Sequence, residues 1–276
     1  MYKMAVSDID GTLIGSNGKL SENTIKTIKR LQEKGIIFTL CTGRNIRKTL
    51  PIANALGIKA PFVCIDGILL FDPVKKSPVY NMNLTYEQVK YLVELGIEYK
   101  TFIEVSDGFK YYKHLPDKDA EKYDFFNKHT FSGRIKSYAG GIRYFKNPEK
   151  LCCIKEPIYQ VTLACEKRLA DEISDIIRKS GIGGIEVRDF IWDGYLFINR
   201  NGMGKARGVK ILCEYFGVSP DEVVAFGDEN NDIDMLEFVG MGVAVENAVE
   251  KVKAVSDFIT LSNDNDGVAY AVNRFF

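Results

Sequence analysis

The chain has 276 residues, of which 46% are hydrophobic, and this is enough for one large α/β domain or two smaller domains that bury a core. Lysine and arginine together number 37, and aspartate and glutamate together also number 37, so the formal net charge is zero. This balance argues against a protein that gathers nucleic acid or an anionic membrane through a bulk positive field. Any phosphate group that the protein binds has to be held by local contacts.

The chain shows no pattern typical of export or membrane insertion. Its first residues, MYKMAVSDID, lack the basic region, the long apolar stretch and the small-residue cleavage site of a signal peptide. No apolar segment approaches the roughly 20 residues needed to span a bilayer. The six cysteines form no CxxC pair, and several lie in apolar runs such as VCIDG, which favours reduced thiols in a core. We therefore expect a cytoplasmic protein with neither a membrane partner nor a nucleic-acid partner.

The first third of the chain alternates between predicted strands and helices. Residues 3–7, KMAVS, form an apolar run that ends in DIDGT, and a helix with Ser21 as its N-cap follows and stops at Gly35. A second strand lies in GIIFTLCTGR, a helix follows from Asn45 to Leu56, and a third strand lies in PFVCIDG. Strands and helices in this order predict a parallel, doubly wound sheet.

The pattern changes after residue 83. An amphipathic helix is predicted from Thr85 to Tyr99, a hairpin around Gly108, and a second helix from Glu166 to Ser180, followed by the strand-like segment GIEVRDFIWDGYLFIN. Tyrosine and phenylalanine are dense in this region. We interpret residues 84–196 as an inserted domain with α+β character.

From about Gly202 the alternation of helices and strands returns. The sequence predicts a helix over residues 204–216, a strand in VVAFGDENND, a helix in DIDMLEFVG and a short strand in MGVAVENA. The parallel sheet is therefore expected to be built from both ends of the chain. This predicts a discontinuous core of residues 1–83 and 197–276.

Two carboxylates follow the first predicted strand. Hydrolysis of a phosphate ester needs a nucleophile, a proton donor for the leaving oxygen and positive charge for the transferring group. Asp8 is placed for in-line attack on phosphorus, while Asp10 on the following turn can protonate the leaving oxygen and later deprotonate water. Gly11 and Thr12 allow a sharp turn at this point. The alternative is a capped β-turn without catalytic chemistry.

A second acidic group follows the apolar run VVAF. It contains Asp228, Asn231 and Asp232, whose oxygen atoms suit a hard cation such as Mg²⁺. A cation shared by Asp8, Asp228 and the phosphate of a substrate would reduce the repulsion between a carboxylate nucleophile and a phosphate dianion. The alternative is that the acidic loop only caps the helix that follows it.

Two further segments offer contacts for phosphate. Thr42 ends the second predicted strand and offers its hydroxyl, and the turn that follows, which begins at Gly43, offers backbone N–H groups. Lys205 lies at the start of the returning helix and offers a positive charge. Threonine and lysine are common at strand ends and helix starts, so the prediction depends on all the candidate site residues together.

The order of these segments resembles a known superfamily. DIDGT at 8–12, Thr42-Gly43-Arg44, Lys205 and GDENND at 227–232 match, in this order, the four motifs of the haloacid dehalogenase superfamily. The long insertion between the second and third motifs, together with FGDENNDIDML, VAVENA and DNDGVA, is similar to class IIB of that superfamily, the Cof-type phosphatases.

The resemblance implies a fold and a set of roles. It implies a Rossmann-like parallel-sheet core with an inserted α+β cap domain of the C2B type, and sugar phosphates or related small phosphoesters as substrates. The implied nucleophile is Asp8 and the implied acid/base is Asp10. The implied phosphate contacts are Thr42, Gly43, Lys205 and Asn231, and the implied Mg²⁺ ligands are the Asp8 side chain, the Asp10 carbonyl oxygen and the carboxylates of Asp228 and Asp232. Arg44 and Asp66 are candidate substrate contacts.

The chain departs from the Cof-type pattern at three positions, and at the third motif Lys205-Ala206 stands where family members often have Lys-Gly. Asp66-Gly67 stands where these phosphatases usually have Asn-Gly, which replaces an amide donor near the phosphate pocket by an anion. Phe197 replaces a glutamate that often lies in the strand returning from the cap. Cap aromatics are more often core residues than substrate contacts, but we expect one or two of Tyr111, Tyr112, Tyr138 and Tyr144 to face the cleft.

Three functions compete at this point. The first is hydrolysis of a small phosphorylated metabolite through an aspartyl-phosphate on Asp8. The second is phosphoryl transfer between sugar hydroxyls, as in a phosphosugar mutase, which uses the same intermediate but excludes water. The third is a non-catalytic regulator that binds a phosphorylated metabolite. Two acidic groups at converging strand ends motivate the first, and the intact residues Asp8, Asp10, Lys205 and Asp228 argue against the third.

Overall fold

The computed structural model describes residues 1–124, 141–189 and 193–276. Their strands in chain order are β1 (Met4–Ser7), β2 (Ile37–Leu40), β3 (Phe62–Cys64), β4 (Leu69–Asp72), β5 (Ser77–Asn81), β6 (Phe102–Ser106), β7 (Tyr111–His114), β8 (Ile142–Tyr144), β9 (Gln160–Ala164), β10 (Ile185–Arg188), β11 (Tyr195–Arg200), β12 (Val223–Gly227), β13 (Met241–Ala244) and β14 (Phe258–Ile259). Their α-helices are α1 (Glu22–Glu33), α2 (Ile46–Ala55), α3 (Tyr86–Glu98), α4 (Lys167–Lys179), α5 (Lys205–Phe216), α6 (Ile233–Phe238), α7 (Glu250–Val255) and α8 (Gly267–Phe275). The chain divides into two compact units, one formed by Met1–Asn81 with Met203–Phe276 and the other by Met82–Gly202.

The first unit is organised around a five-stranded parallel sheet. Its strand order is β14-β13-β12-β1-β2, so β1 from the N-terminal segment pairs on one side with β12 from the C-terminal segment. The central strands β1 and β12 are short apolar runs buried on both faces, and Met4, Ala5 and Val6 of β1 are fully buried. Because all strands run in the same direction, the residues that follow β1, β2 and β12 meet at one edge of the sheet.

A small antiparallel sheet adjoins this parallel sheet. The segment PFVCIDG, predicted as a third parallel strand, forms the short strand β3, which pairs antiparallel with β4, and β4 pairs in turn with β5. One parallel bridge, between Cys41 and Val63, connects β3 to the end of β2. Ile65 and Asp66 have left-handed backbone angles, with φ of 50° and 49°, and they turn the chain back into the β3–β4 hairpin that the sequence pattern did not reveal.

The second unit contains a six-stranded sheet in the order β10-β11-β9-β6-β7-β8. Its pairs are antiparallel except for the parallel pair of β7 with β8. Helices α3 and α4 bury apolar side chains such as Leu92 and Ile173 against Ile103 and Leu163 of the sheet. The prediction of a parallel-sheet α/β core with an inserted α+β domain is therefore confirmed.

The limits of the two units differ from the predicted limits by a few residues. The predicted boundary between residues 196 and 197 would divide β11, whereas the whole of β11 pairs with β9 and β10 inside the second unit. The observed divisions follow Asn81 and Gly202. In the described part of the chain, no helix is both long enough and apolar enough to cross a bilayer.

Candidate active site

Asp8 lies directly after β1 and is nearly buried, with 6% of its surface exposed. Its backbone is fixed because its N–H donates to the Phe226 carbonyl at 3.0 Å and its carbonyl accepts from the Ser7 hydroxyl at 2.7 Å. The pairing of β1 with β12 thus sets the position of the predicted nucleophile from a segment more than half the chain away.

Lys205 connects two carboxylates in the buried interior. It is the first residue of α5 and is 1% exposed, and its Nζ donates to Oδ1 of Asp8 at 2.7 Å and to Oδ1 of Asp232 at 2.6 Å. Such charge-assisted bonds are the strong ones among protein hydrogen bonds. The structure therefore brings together three residues that the motif order had grouped.

The start of α5 is fixed by a residue that the sequence analysis missed. The N-cap position is Gly204, which has no capping side chain, and a Cβ there would lie 2.3 Å from Oδ2 of Asp234. That same oxygen accepts a hydrogen bond from the Ala206 N–H at 3.2 Å. Asp234 of α6 therefore supplies the missing cap, which places negative charge at the positive end of the helix and holds Lys205 in register. The acidic residue in DIDML was the available signal.

Asp232 is fully buried and uses both carboxylate oxygens. Its Oδ2 accepts from the N–H groups of Asp228 and Glu229, each at 3.0 Å, while Oδ1 accepts from Lys205. Asp232 therefore orders its own loop and also holds the lysine, but its side chain makes no hydrogen bond that caps the helix after it. That this acidic group binds a cation stays a prediction. Carboxylate oxygens of Asp8, Asp228 and Asp232 all lie within 4.8 Å of one another.

Asp228 is held against the turn that follows β1. The Thr12 hydroxyl donates to Oδ1 of Asp228 at 2.5 Å. Gly11 has φ of 75°, and a Cβ at this position would lie 2.1 Å from Oδ2 of Asp228. Asn247, in the VAVENA segment, donates to the Gly11 carbonyl at 2.8 Å. Gly11 is therefore needed for the close approach of Asp228 as well as for the turn itself.

The charges at this site are not balanced within the protein. Burial, together with the neighbouring carboxylates Asp232 and Asp228, raises the pKa of Asp8 to about 8 against the attraction of Lys205. Burial also raises the pKa of Asp228 to about 7, although the Thr12 hydroxyl opposes this. Burial lowers the pKa of Lys205, but Asp232 and Asp8 outweigh it and hold that pKa well above its usual value. Three carboxylates share one lysine, so the donor set fits a divalent cation.

The segment after β2 places Arg44 on Asp10. Nε of Arg44 donates to Oδ2 of Asp10 at 2.6 Å and Nη2 donates to Oδ1 at 2.5 Å. Thr42 is 1% exposed, and its hydroxyl oxygen accepts from the Arg44 N–H at 3.2 Å. The sequence predicted Arg44 and Asp10 as separate site residues, and the structure joins them in a bidentate pair.

Asp66 and Asn231 also contact each other. Nδ2 of Asn231 donates to Oδ1 of Asp66 at 3.0 Å, and the Asp66 N–H donates to the Thr42 carbonyl at 3.2 Å. A Cβ on Gly43 would lie 3.2 Å from Oδ1 of Asp66, so this carboxylate packs directly over the turn predicted to hold phosphate. The departure from the usual Asn-Gly therefore places an acceptor beside the Asn231 amide.

The aromatic candidates of the inserted unit have contacts inside that unit. The Tyr112 hydroxyl donates to Asp107 at 2.7 Å, the Tyr144 hydroxyl donates to Asp124 at 2.5 Å, and Phe197 stacks on Tyr195 with ring centroids 6.2 Å apart. Tyr111 lies on β7 beside the buried Lys113. Tyr138 lies outside the described residues. Which of these rings meets a substrate stays a prediction.

The chain is similar in sequence and structure to proteins of one known family. A family model for haloacid dehalogenase-like hydrolases matches residues 5–272. The chain is 30% identical over 274 residues to the 5-amino-6-(5-phospho-D-ribitylamino)uracil phosphatase YitU of Bacillus subtilis, covering 98% of this chain and 96% of that protein. A haloacid dehalogenase-like hydrolase from Bacteroides thetaiotaomicron has a crystal structure that aligns over the whole of both chains with a TM-score of 0.84 and 29% identity.

A more distant structural match supports the fold alone. The structure of a sugar phosphatase of haloacid dehalogenase subclass IIB aligns over 99% of this chain and 98% of that chain, with a TM-score of 0.74 and 23% identity. Together these matches confirm the resemblance inferred from the order of the four motifs and the predicted fold class.

Proposed function

Because the chain belongs to the haloacid dehalogenase-like hydrolase family, we propose that it is a Mg²⁺-dependent phosphatase that hydrolyses a small phosphorylated metabolite through an aspartyl-phosphate on Asp8. The observation that carries this proposal is the buried carboxylate of Asp8, held through Oδ1 by Lys205 and grouped with Asp228 and Asp232. Enzymes of this reaction class depend mainly on positioning and on charge stabilisation, and this cluster offers both.

In the first step, Asp8 attacks the phosphorus atom of the ester. We assign the attack to Oδ2, because Oδ1 is held by Lys205. The bond between phosphorus and the leaving oxygen breaks, and Asp10 gives a proton to that oxygen. The phosphate oxygens are held by Lys205, the Thr42 hydroxyl, the Gly43 N–H and the amide of Asn231. The product of this step is a free alcohol and a phosphoryl group on Asp8.

The residues that would hold Mg²⁺ are Asp8 through its side chain, Asp10 through its carbonyl oxygen and Asp228 through its carboxylate. When bound, the ion would neutralise charge where a carboxylate nucleophile meets a phosphate dianion. Asp232 supports this set by a different contact, because its two oxygens already accept from Lys205 and from the N–H groups of residues 228 and 229. Its role is to hold Lys205 and the Asp228 loop in place.

In the second step, water attacks the phosphorus atom of the aspartyl-phosphate. Asp10, now a carboxylate, takes a proton from the water, the bond between phosphorus and Asp8 breaks, and inorganic phosphate leaves. Asp8 returns as a carboxylate, and Asp10 carries the proton that it needs for the next turnover. Protons and phosphoryl groups therefore balance over the two steps.

The proposed substrate class is a phosphorylated, sugar-like small molecule. One relative, 30% identical over nearly its full length, is named for a phosphoribityl compound, which is a phosphate ester of a polyol. The net charge of zero favours a small molecule over a nucleic acid. A panel of sugar phosphates, polyol phosphates, nucleotides and phosphorylated cofactors, assayed for phosphate release, would identify the preferred ester.

The test of the proposed function is phosphate release from p-nitrophenyl phosphate with MgCl₂. We expect activity that disappears with excess EDTA and returns with MgCl₂, and a radiolabelled phosphoenzyme in acid-quenched samples. Asp8→Asn should abolish both the turnover and the label. Activity that survives Asp8→Asn would refute the assignment of the nucleophile, and an isomerised phosphosugar formed without free phosphate would indicate a mutase instead.

A further inference from the structure

The Asp10 carboxylate is exposed and is held by a single side chain in the described part of the chain. Its side chain is 59% exposed, yet both oxygens accept hydrogen bonds from Arg44, at 2.6 and 2.5 Å. An exposed carboxylate at a turn is otherwise free to change rotamer. The orientation of Asp10 therefore depends on Arg44.

Arg44 is itself well anchored. Its side chain is 24% exposed, its N–H donates to the Thr42 hydroxyl at 3.2 Å, and its carbonyl accepts from the Ile65 N–H at 3.1 Å. The next residue, Asn45, is the N-cap of α2 and accepts from the Lys48 N–H through its side chain. The guanidinium thus projects from a backbone fixed by β2, the β3 turn and a helix start.

We infer that Arg44 is a positioning residue that fixes the orientation of the Asp10 side chain for the second step of the reaction. This inference rests on the proposed function. A guanidinium that donates to both oxygens fixes the plane and the direction of the carboxyl group, and the transfer of a proton from the attacking water depends on that orientation. When the leaving group departs without a proton, the first step does not need Asp10, so the effect of Arg44 is then confined to the hydrolysis of the aspartyl-phosphate.

This role differs from the direct substrate contact that the sequence suggested for Arg44. A substrate contact contributes to binding and to the first chemical step, so its loss lowers kcat/KM. A residue that acts only through Asp10 in the second step affects kcat and KM together, because kcat/KM reports the steps up to formation of the phosphoenzyme. The two roles therefore give different kinetics with the same substrate.

The experiment uses Arg44→Met with p-nitrophenyl phosphate and MgCl₂. The p-nitrophenolate group leaves without a proton, so the first step should keep its rate. We expect a burst of about one p-nitrophenolate per enzyme, followed by steady turnover reduced by about 10²-fold, the lower end of what a general base contributes. KM should fall by the same factor, kcat/KM should be unchanged, and labelled phosphoenzyme should accumulate in acid-quenched samples.

Three further variants complete the test. Arg44→Lys keeps the charge but offers no planar pair of donors, so it should still show the burst, with a smaller loss of kcat. Arg44→Met combined with Asp10→Asn should be no slower than Asp10→Asn alone. Arg30→Met is the matched control, because Arg30 of α1 bonds to Thr27 in its own helix, and it should behave as the unaltered protein.

Several outcomes would overturn the inference. These are a higher KM with a lower kcat/KM and no burst for Arg44→Met, additive losses in the double variant, or full activity for Arg44→Lys. Thermal unfolding of each variant, followed by circular dichroism, excludes loss of the folded state as the cause. Failure of the proposed function is distinguishable, because it would appear as absent turnover and absent phosphoenzyme in the unaltered protein.

Discussion

Asp232→Asn is a sharp test of the buried charge cluster, because an amide cannot replace both functions of this carboxylate. Oδ2 of Asp232 accepts from two backbone N–H groups and Oδ1 accepts from Lys205. An asparagine has only one acceptor oxygen. If that oxygen faces the backbone, its NH₂ group faces the Lys205 ammonium. If it faces Lys205, the NH₂ group faces the N–H groups of Asp228 and Glu229.

Both orientations have a substantial cost. The first loses a charge-assisted hydrogen bond, which contributes about 1.5–3 kcal/mol, and adds a contact between two donors. The second leaves the buried Asp228 N–H and the part-buried Glu229 N–H without an acceptor, and a buried group in that state costs about 1–3 kcal/mol. We therefore expect the free energy of unfolding to fall by about 3–5 kcal/mol, the range seen when one partner of a buried ion pair is removed.

The assay is urea unfolding followed by circular dichroism, with Asp257→Asn as the matched control. Asp257 is also an aspartate whose side chain accepts from a backbone N–H, but it accepts only from that of Gly242 at 2.8 Å, a contact that an amide oxygen can replace. The control should lose less than about 1 kcal/mol. If Asp232→Asn lost no more than Asp257→Asn, the bridge from Lys205 to Asp232 would not exist in solution and the electrostatic reasoning would be refuted.

Three other predictions follow from the same cluster and from the inserted unit. Because the pKa of Asp8 and Asp228 is raised to about 8 and about 7, the metal-free folded protein binds more protons than the unfolded chain above about pH 4, so its stability should fall from pH 5 to pH 8. Added MgCl₂ should raise the melting temperature more at pH 8 than at pH 5, and an equal rise at both would contradict this. Gly11→Ala should abolish phosphate release, because the alanine Cβ would lie 2.1 Å from Oδ2 of Asp228 at a backbone φ of 75°. Activity above a tenth of that of the unaltered protein would contradict this prediction. Lys113→Met should lower the free energy of unfolding by about 3–5 kcal/mol in urea titrations, because Lys113 is 1% exposed and its Nζ lies 2.8 Å from Glu104 and 2.7 Å from Asp124. An unchanged urea midpoint would show that these two carboxylates need no partner.

The arrangement of Asp8, Lys205, Asp228 and Asp232 followed from the sequence to a large extent. Each residue comes directly after a buried apolar run or at a predicted helix start, and parallel strands end at a common edge. Helices α1 to α6 were also predictable to within about two residues, because several of their caps are local: Thr85, for example, forms a capping box with Gln88 at the start of α3. Helices α7 and α8 were not predicted. Local signals of this kind need no knowledge of the tertiary structure.

The contacts between site residues were harder to predict from the sequence. The pairs of Arg44 with Asp10 and of Asp66 with Asn231 depend on which rotamers fill the space at the sheet edge, and no spacing in the sequence encodes that choice. The role of Asp234 was hidden because it replaces a cap that most helices receive from their own N-cap residue. The β3–β4 hairpin was missed because its turn uses left-handed Ile65 and Asp66 without a preceding glycine.

The central place of β1 between β2 and β12 has a consequence for how the protein is made. While the ribosome is still producing the inserted unit, β1 and β2 have already emerged, but the partner on the other side of β1 has not. An unpaired strand edge is a site where nascent chains associate wrongly. Until residues 223–227 are synthesised, this edge has no permanent neighbour, so the interval spent translating the insertion is the period in which the nascent chain most needs a chaperone.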